Sequence, residues 1–242
     1  MFRFSTLLMA VITLSNHSMH SIRAEDSSAW QEVVATDFCD PAPSVDPSGP
    51  RWRIRSGIWE ATKDGLSKPN RDIEAVLSLR LPVATGAVRV ELDARSDDPG
   101  DLSIIIGTDF KGASVDTGAA FFGFGANGNS LSKIEHNGKK LVENRNAAIT
   151  PGQWHHIIAE RSGGELILSA DTKEICRAVE PQDGFAGPYI ALYVWNKAVL
   201  RSVKVLVRDD ASLRAHLSKD ALLRSDSFAA ESVVPPASPT KT

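Results

Sequence analysis

Between Val88 and Arg95 apolar and charged residues alternate without a break, Val88, Val90, Leu92 and Ala94 against Arg89, Glu91, Asp93 and Arg95. Side chains of a β-strand point to opposite faces in turn, so this stretch reads as a strand with one face in a core and the other polar. The stretch Val199 to Arg208 repeats the pattern, with Val203, Val205 and Val207 against Lys204, Leu206 and Arg208. Other runs, such as Ile104-Ile105-Ile106, are apolar on both sides and read as more deeply buried.

From Trp52 onward such short runs are divided by Gly, Pro, Asp and Asn, the punctuation of an all-β sandwich or barrel. The expected strands are Arg51 to Ala61, Ile73 to Leu81, Gly86 to Arg95, Asp101 to Gly107, Ala119 to Gly125, Ser130 to His136, Gln153 to Arg161, Glu165 to Ala170, Lys173 to Val179, Tyr189 to Trp195, and Val199 to Arg208. Helical signal is nearly absent before residue 209, where Asp210 caps a short helix predicted over 209–223, with leucines at helical spacing. The Ser-, Ala- and Pro-rich end, 224–242, buries too little apolar area to offset its ordering entropy and reads as a disordered tail. The proline-rich stretch Cys39 to Pro50 reads as a loop.

The first residues carry a different signal. Met1-Phe2-Arg3-Phe4, an apolar run from Leu7 to Leu14 and a polar stretch ending at Ala24 have the order of a secretory signal peptide. The apolar run is shorter than the roughly 20 residues a spanning helix needs. The expectation is therefore export, to periplasm, cell surface or extracellular space, with 1–24 removed and no stable membrane insertion afterwards. Loss of Arg3 and Arg23 from the 27 basic residues leaves 25 against 30 acidic ones. A mildly acidic chain lacks the clustered Lys and Arg that nucleic-acid binding needs, so no nucleic-acid partner is expected. Residues 25–208 are within the size of one large sandwich. An oxidising compartment would permit Cys39 and Cys176 to pair, but spacing alone leaves a disulfide and two buried thiols equally open.

The segment Pro151-Gly152-Gln153-Trp154-His155-His156 through Gly163-Gly164 to Asp171-Thr172-Lys173-Glu174-Ile175 resembles the "G-x-W-H-H-V … G … L-x-L-Y-V-D-G-K-x-V" run of laminin-G-like, concanavalin A-like domains. Gly163-Gly164 supplies the positive φ angles a tight hairpin demands. Thr172 stands where the pattern has Gly, which predicts a looser second turn seeded by Asp171. Gly57-Ile58-Trp59-Glu60 resembles the opening strand of such domains, and Gly187 to Trp195 followed by Val199 to Val207 resembles the closing pair. The same order occurs in the 3-keto-disaccharide hydrolase domains of this superfamily. The resemblance covers roughly residues 30 to 208 and implies an antiparallel concanavalin A-like jelly roll, which the short helix over 209–223 follows.

Functional candidates follow from fold and residue type. Glu91-Leu92-Asp93 is similar to the first two carboxylates of the "E-x-D-x-x-E" strand of β-glucanases in this superfamily, but Ser96 stands in the third place, which removes the acid that a retaining glycosidase needs. The expected function is a secreted binding domain for carbohydrate, its partner a glycan or an extracellular protein, with Arg89, Glu91, Asp93, Trp195 and Asn196 as ligand-binding residues. The alternative is a sugar-processing hydrolase or lyase resembling the 3-keto-disaccharide hydrolases, with Asp93, Glu135 and His136 as acid and base groups. Trp195 lies at a strand end where its ring can reach a sugar, whereas Trp154 and Trp59 read as core, and Trp52 is left open. His155 and His156 are neighbours on a strand and point to opposite faces, so one metal ion cannot use both. No cofactor is expected, apart from a Ca²⁺ that the acidic loops Asp97 to Asp101 and Asp109 to Asp116 could hold.

Overall fold

The computed structural model describes residues 30–39, 52–81, 87–111, 117–182 and 187–208. The expected signal peptide (1–24), C-terminal helix (209–223) and tail (224–242) lie outside these residues, as does most of the loop 39–50.

Two antiparallel sheets face each other. Sheet I has the order β13 (Lys173–Val179), β12 (Glu165–Ala170), β11 (Trp154–Ser162), β6 (Val88–Arg95), β15 (Ala198–Arg208), β4 (Gly65–Lys68), β3 (Glu60–Thr62). The long strand β15 divides its second edge between β4, along Ala198–Leu200, and β1 (Trp30–Asp37), along Ser202–Arg208. Sheet II has the order β10 (Lys139–Asn144), β9 (Leu131–His136), β8 (Ala120–Gly125), β7 (Leu102–Thr108), β14 (Tyr189–Val194), β5 (Ala75–Arg80), β2 (Trp52–Ser56).

The core lies between the sheets, and the alternation read from the sequence places it. Val88, Val90, Leu92 and Ala94 of β6, Ile157 and Ala159 of β11, and Val203, Val205 and Val207 of β15 meet Leu77, Leu79, Ile104, Ile106, Phe122, Ile134, Ile190 and Leu192 of sheet II. Burying each such aliphatic side chain contributes about 1.5–3 kcal/mol relative to leaving it in water.

Several expected elements are corrected. The run Arg51 to Ala61 is two strands in different sheets: β2 ends at Ser56, and Gly57, at φ 80°, turns the chain toward β3. A side chain on Gly57 would collide with Ala75, its Cβ only 2.3 Å from that methyl carbon. Strands β1, β4 and β10 were not expected. Strand β10 follows the turn Asn137-Gly138, whose φ values of 49° and 71° suit a tight hairpin.

The turn Asp171-Thr172 is as tight as Gly163-Gly164: two residues, both with positive φ (51° and 70°). It is not the looser turn predicted, because contacts from β11 hold Asp171 in place. Its carboxylate bonds His155 Nδ1 at 2.6 Å and accepts from the His156 amide at 3.0 Å, while its own amide donates to the His156 carbonyl at 2.9 Å.

Cys39 and Cys176 are free thiols. Cys176 lies on the core face of β13 near the Ser132 carbonyl. Burial pushes its thiol up to about 11.

Candidate functional site

Each sheet also has an outer face, and the two differ in how fully their polar groups are matched. On sheet I the registers of β11, β6 and β15 set Trp154, Arg95, His156, Asp93, Ser202, Glu160 and Arg89 side by side. Arg89 donates from Nε and Nη2 to Glu160 at 2.9 and 2.7 Å. Asp93 accepts from His156 Nδ1 and Ser202 Oγ, each at 2.7 Å. Burial opposes ionisation of Asp93, but those two hydrogen bonds and the charges of His156 and Arg201 outweigh it and hold the carboxyl below the usual aspartate value.

The order Ser202, Asp93, His156 puts the carboxylate in the middle, so His156 cannot take the Ser202 proton and no nucleophile is activated. Trp154, expected in the core, lies on this outer face, where Arg201 and Arg95 stack on its ring at 3.7 and 5.0 Å. Register explains this. His155, one position on, faces inward, is buried against Phe124, and accepts from the Thr150 amide through Nε2.

The outer face of sheet II is built differently. Lys133, Gly123, Ser103, Tyr193 and Val76 fall in one cross-strand row, and Glu135, Phe121, Ile105, Ala191, Ser78 and Arg53 in the next. Although this face looks away from the core, Val76, Ile105, Ala119, Phe121 and Ala191 are buried and form a second apolar cluster, against which Phe110 and Tyr193 pack. Larger side chains of the same face, Phe110 and Tyr193 among them, pack over those small ones. Gly123 keeps the face flat: a Cβ there would meet the Phe121 ring at 2.8 Å and the Lys133 stem at 3.3 Å.

Polar groups at one end of this face are left unmatched. Lys133 pairs with Glu135 at 2.9 Å and lies over the Phe121 ring. Asp101 Oδ1 and Ser103 Oγ are buried without a hydrogen-bond partner among the described residues. Burial pushes the Asp101 carboxyl up to about 6, with the Lys133 charge opposing and the Glu135 charge adding to the shift. The backbone at Asp101 is held at φ 33°, outside the regions most L-residues adopt. An unmatched buried oxygen costs about 1–3 kcal/mol.

The residues expected to act are dispersed over these faces. Asp93, Arg89 and Glu91 lie on the outer face of sheet I, Glu135 on the outer face of sheet II, and His136 points inward from β9, buried. Asp93, Glu135 and His136 therefore do not converge, and the acid and base set drawn from them is corrected. Asn196 is used structurally. It accepts from the Asp72 amide at 3.0 Å and lies so close to Gly100 that a Cβ there would come within 2.9 Å of Nδ2. Trp195 continues the outward alternation of Tyr189, Ala191 and Tyr193 at the end of β14 and is exposed.

The acidic loop expected to hold Ca²⁺ is split: Asp97 pairs with Arg95, Asp98 with Arg71, and Asp101 belongs to sheet II. Beside it the buried Lys68 ammonium donates to the Asn70 and Trp195 carbonyls at 2.5 and 2.6 Å. Burial draws that ammonium below the ordinary lysine value, with Asp72 and Asp98 opposing. Among the described residues no group of three or more His, Cys, Asp or Glu side chains is arranged to hold a metal ion. Residues 112–116 of the second acidic loop lie outside the described residues.

The sequence reading missed Phe121, Tyr193 and Ser103, and took Asp101 only as an oxygen of a Ca²⁺ loop. A signal for them was present, since runs apolar on both sides, Ile104-Ile105-Ile106 and Ala119 to Gly125, mean that both faces of those strands are covered.

No protein-family model and no curated protein matches the chain. Solved structures do match. SCLam, described as a non-specific endo-β-1,3(4)-glucanase from family GH16, superposes with a TM-score of 0.55 at 13% identity, over 75% of this chain and 92% of that one. The exoplasmic/lumenal domain of VIP36, in a Ca²⁺/Man2-bound form, superposes with a TM-score of 0.53 at 12% identity, over 74% and 89%. At such identities the likeness speaks for architecture alone, and with the two antiparallel sheets it assigns the chain the concanavalin A-like lectin/glucanase fold.

Proposed function

We propose that this chain is an exported, non-catalytic glycan-binding domain whose ligand lies on the outer face of sheet II. The observation that carries the reading is one patch in which the Phe121 and Tyr193 rings, packed edge to face at 5.8 Å, adjoin two buried oxygens, Asp101 Oδ1 and Ser103 Oγ, that have no hydrogen-bond partner among the described residues. A sugar ring offers both complements, an apolar C–H face for the aromatic rings and hydroxyls for the oxygens. Trp195, at the rim, adds a further ring. The two similar folds lend support, one belonging to a glucanase and the other to a domain in a Ca²⁺/Man2-bound form. Export rests on the order of residues 1–24. Among the described residues no helix is long and apolar enough to cross a membrane.

A glycan array probed with wild type, Tyr193→Ala and Trp195→Ala tests the reading. The expected result is a bound glycan whose affinity falls about tenfold or more in Tyr193→Ala. No bound glycan, or binding indifferent to Tyr193, sinks it.

One observation favours a second reading, a sugar-processing hydrolase or lyase. Asp101 and Glu135 share this face beside Lys133, and an aspartate whose proton is retained to about pH 6 has the character of a general acid. Release of reducing ends from a bound glycan, abolished in Asp101→Asn, would establish that reading over simple binding.

A further inference from the structure

Resting on the glycan reading of this face, we infer that the ligand carries an oxyanion, a sugar carboxylate or a sulfate ester, and that Arg55 at the β2 edge receives it. Along the face, from Ser103 toward β2, the polar groups change from buried oxygens with no partner among the described residues to arginine. Arg53 lies across from Ser78, Arg80 lies across from Tyr189, and Arg55 occupies the bulge between Ile54 and Ser56.

Arg55 is fixed from two sides. Its Nε donates to Ser78 Oγ at 2.9 Å, and its guanidinium lies 4.7 Å from the Phe110 ring centroid and 5.0 Å from that of Tyr189. Those two rings brace each other edge to face at 5.3 Å. Phe110 takes a left-handed φ of 57° in this arrangement, a conformation that bulky residues rarely keep without a reason. The supporting turn depends on close approach at Gly187, whose amide donates to the Gly107 carbonyl at 2.8 Å and where any Cβ would fall within 2 Å of the Thr108 carbonyl.

Among the described residues several arginines are held by a carboxylate: Arg89 by Glu160, Arg161 by Glu180, Arg177 by Glu165 and Glu174. Among the described residues no carboxylate lies within ion-pair distance of Arg55. An exposed guanidinium held by its Nε and one face presents its Nη groups as a preorganised fork. That geometry matches the paired oxygens of a carboxylate or sulfate.

The spacing also bears on ligand length. Arg55 on β2 and Ser103 on β7 are three strand spacings apart, about 14 Å at ~4.8 Å each. A single sugar ring cannot touch both, so an oligosaccharide is required for the anion to reach Arg55 while another residue covers Ser103 and Asp101.

Titration of wild type, Arg55→Gln and Arg55→Lys with size-matched oligosaccharides tests this, with Tyr193→Ala as the control for the face itself. The probes are oligogalacturonate, its carboxyl-reduced neutral counterpart, and a sulfated neutral oligomer. An acidic probe should bind wild type, lose about tenfold to hundredfold in Arg55→Gln, and recover partly in Arg55→Lys, which keeps the charge without the fork. Preference between the uronate and sulfated probes identifies the oxyanion. A neutral probe that binds as well as the acidic ones and is indifferent to Arg55→Gln overturns the inference while leaving the glycan face standing. Binding of no probe, or binding that survives Tyr193→Ala unchanged, overturns both.

Discussion

Asp101 should destabilise the fold at neutral pH, and replacing it should reveal by how much. Its carboxyl moves from an ordinary 3.8 to about 6 because burial penalises the charge and Lys133, already paired with Glu135, returns only part of that loss. In this case the folded state holds the proton more tightly than the unfolded chain. Below about pH 4 both states are protonated and nothing is lost. As pH rises from about 4 to about 6 the unfolded chain releases its proton first, so stability falls, and above about 6 the full cost is present.

One pH unit corresponds to about 1.4 kcal/mol, so the cost is at most about 3 kcal/mol, and nearer 2 if water reaches the carboxylate. Asp101→Asn removes the charge and keeps the shape. Against wild type it should be about equal in stability near pH 4 and more stable by about 2–3 kcal/mol near pH 7. With a urea slope of about 2 kcal/mol per molar, the midpoint rises by about 1 M. Paired urea titrations across that range measure this directly, because every other carboxylate is common to both proteins. A stability difference that does not vary with pH, or a wild type more stable than the variant at neutral pH, would refute the reasoning. The same substitution should weaken glycan binding, as expected when stability is given up to keep a binding group unmatched.

Three further outcomes are expected. Lys68→Met removes two charge-assisted hydrogen bonds and leaves the Asn70 and Trp195 carbonyls unmet, which should cost about 3 kcal/mol in urea unfolding; because Asp97 and Asp98 are held apart by their arginine partners, a chelator should leave the wild-type Tm unchanged, and a drop would show a bound Ca²⁺ instead. Thr172→Gly relieves a β-branched residue at φ 70° and should raise Tm by a few degrees, about 1 kcal/mol, whereas a lower Tm would show that the turn is not strained.

How much was legible in the sequence follows from how local the signal is. The alternation in β6 needs no partner to be read: Val88, Val90, Leu92 and Ala94 had to share a face, and they share the core. Gly163-Gly164 is equally local, and its turn is the one expected. The Asp171-Thr172 turn is not, because its conformation is set by His155 and His156 on another strand. Trp154 was misplaced for a related reason. An aromatic residue with two arginines stacked on its ring reads the same in sequence as one in the core, and Arg201 comes from β15, far along the chain.

Asp93 and Asp101 show where reading by residue type stops. They are the same residue eight positions apart, and both read as candidates, one for a ligand and one for a metal loop. The chain crosses from sheet I to sheet II between them, and each then meets neighbours drawn from remote segments. Asp93 receives a hydroxyl from Ser202 and an imidazole from His156, which hold its carboxyl ionised. Asp101 lies beside a lysine already engaged by Glu135, and burial raises its carboxyl instead. Period-2 patterning tells which residues of one strand share a face, but whether that face meets a partner depends on strand order, which pairs β7 with β14 across more than eighty residues. A candidate binding site on such a sheet is therefore a property of the pairing, and the informative residue is the one that the pairing leaves unmatched.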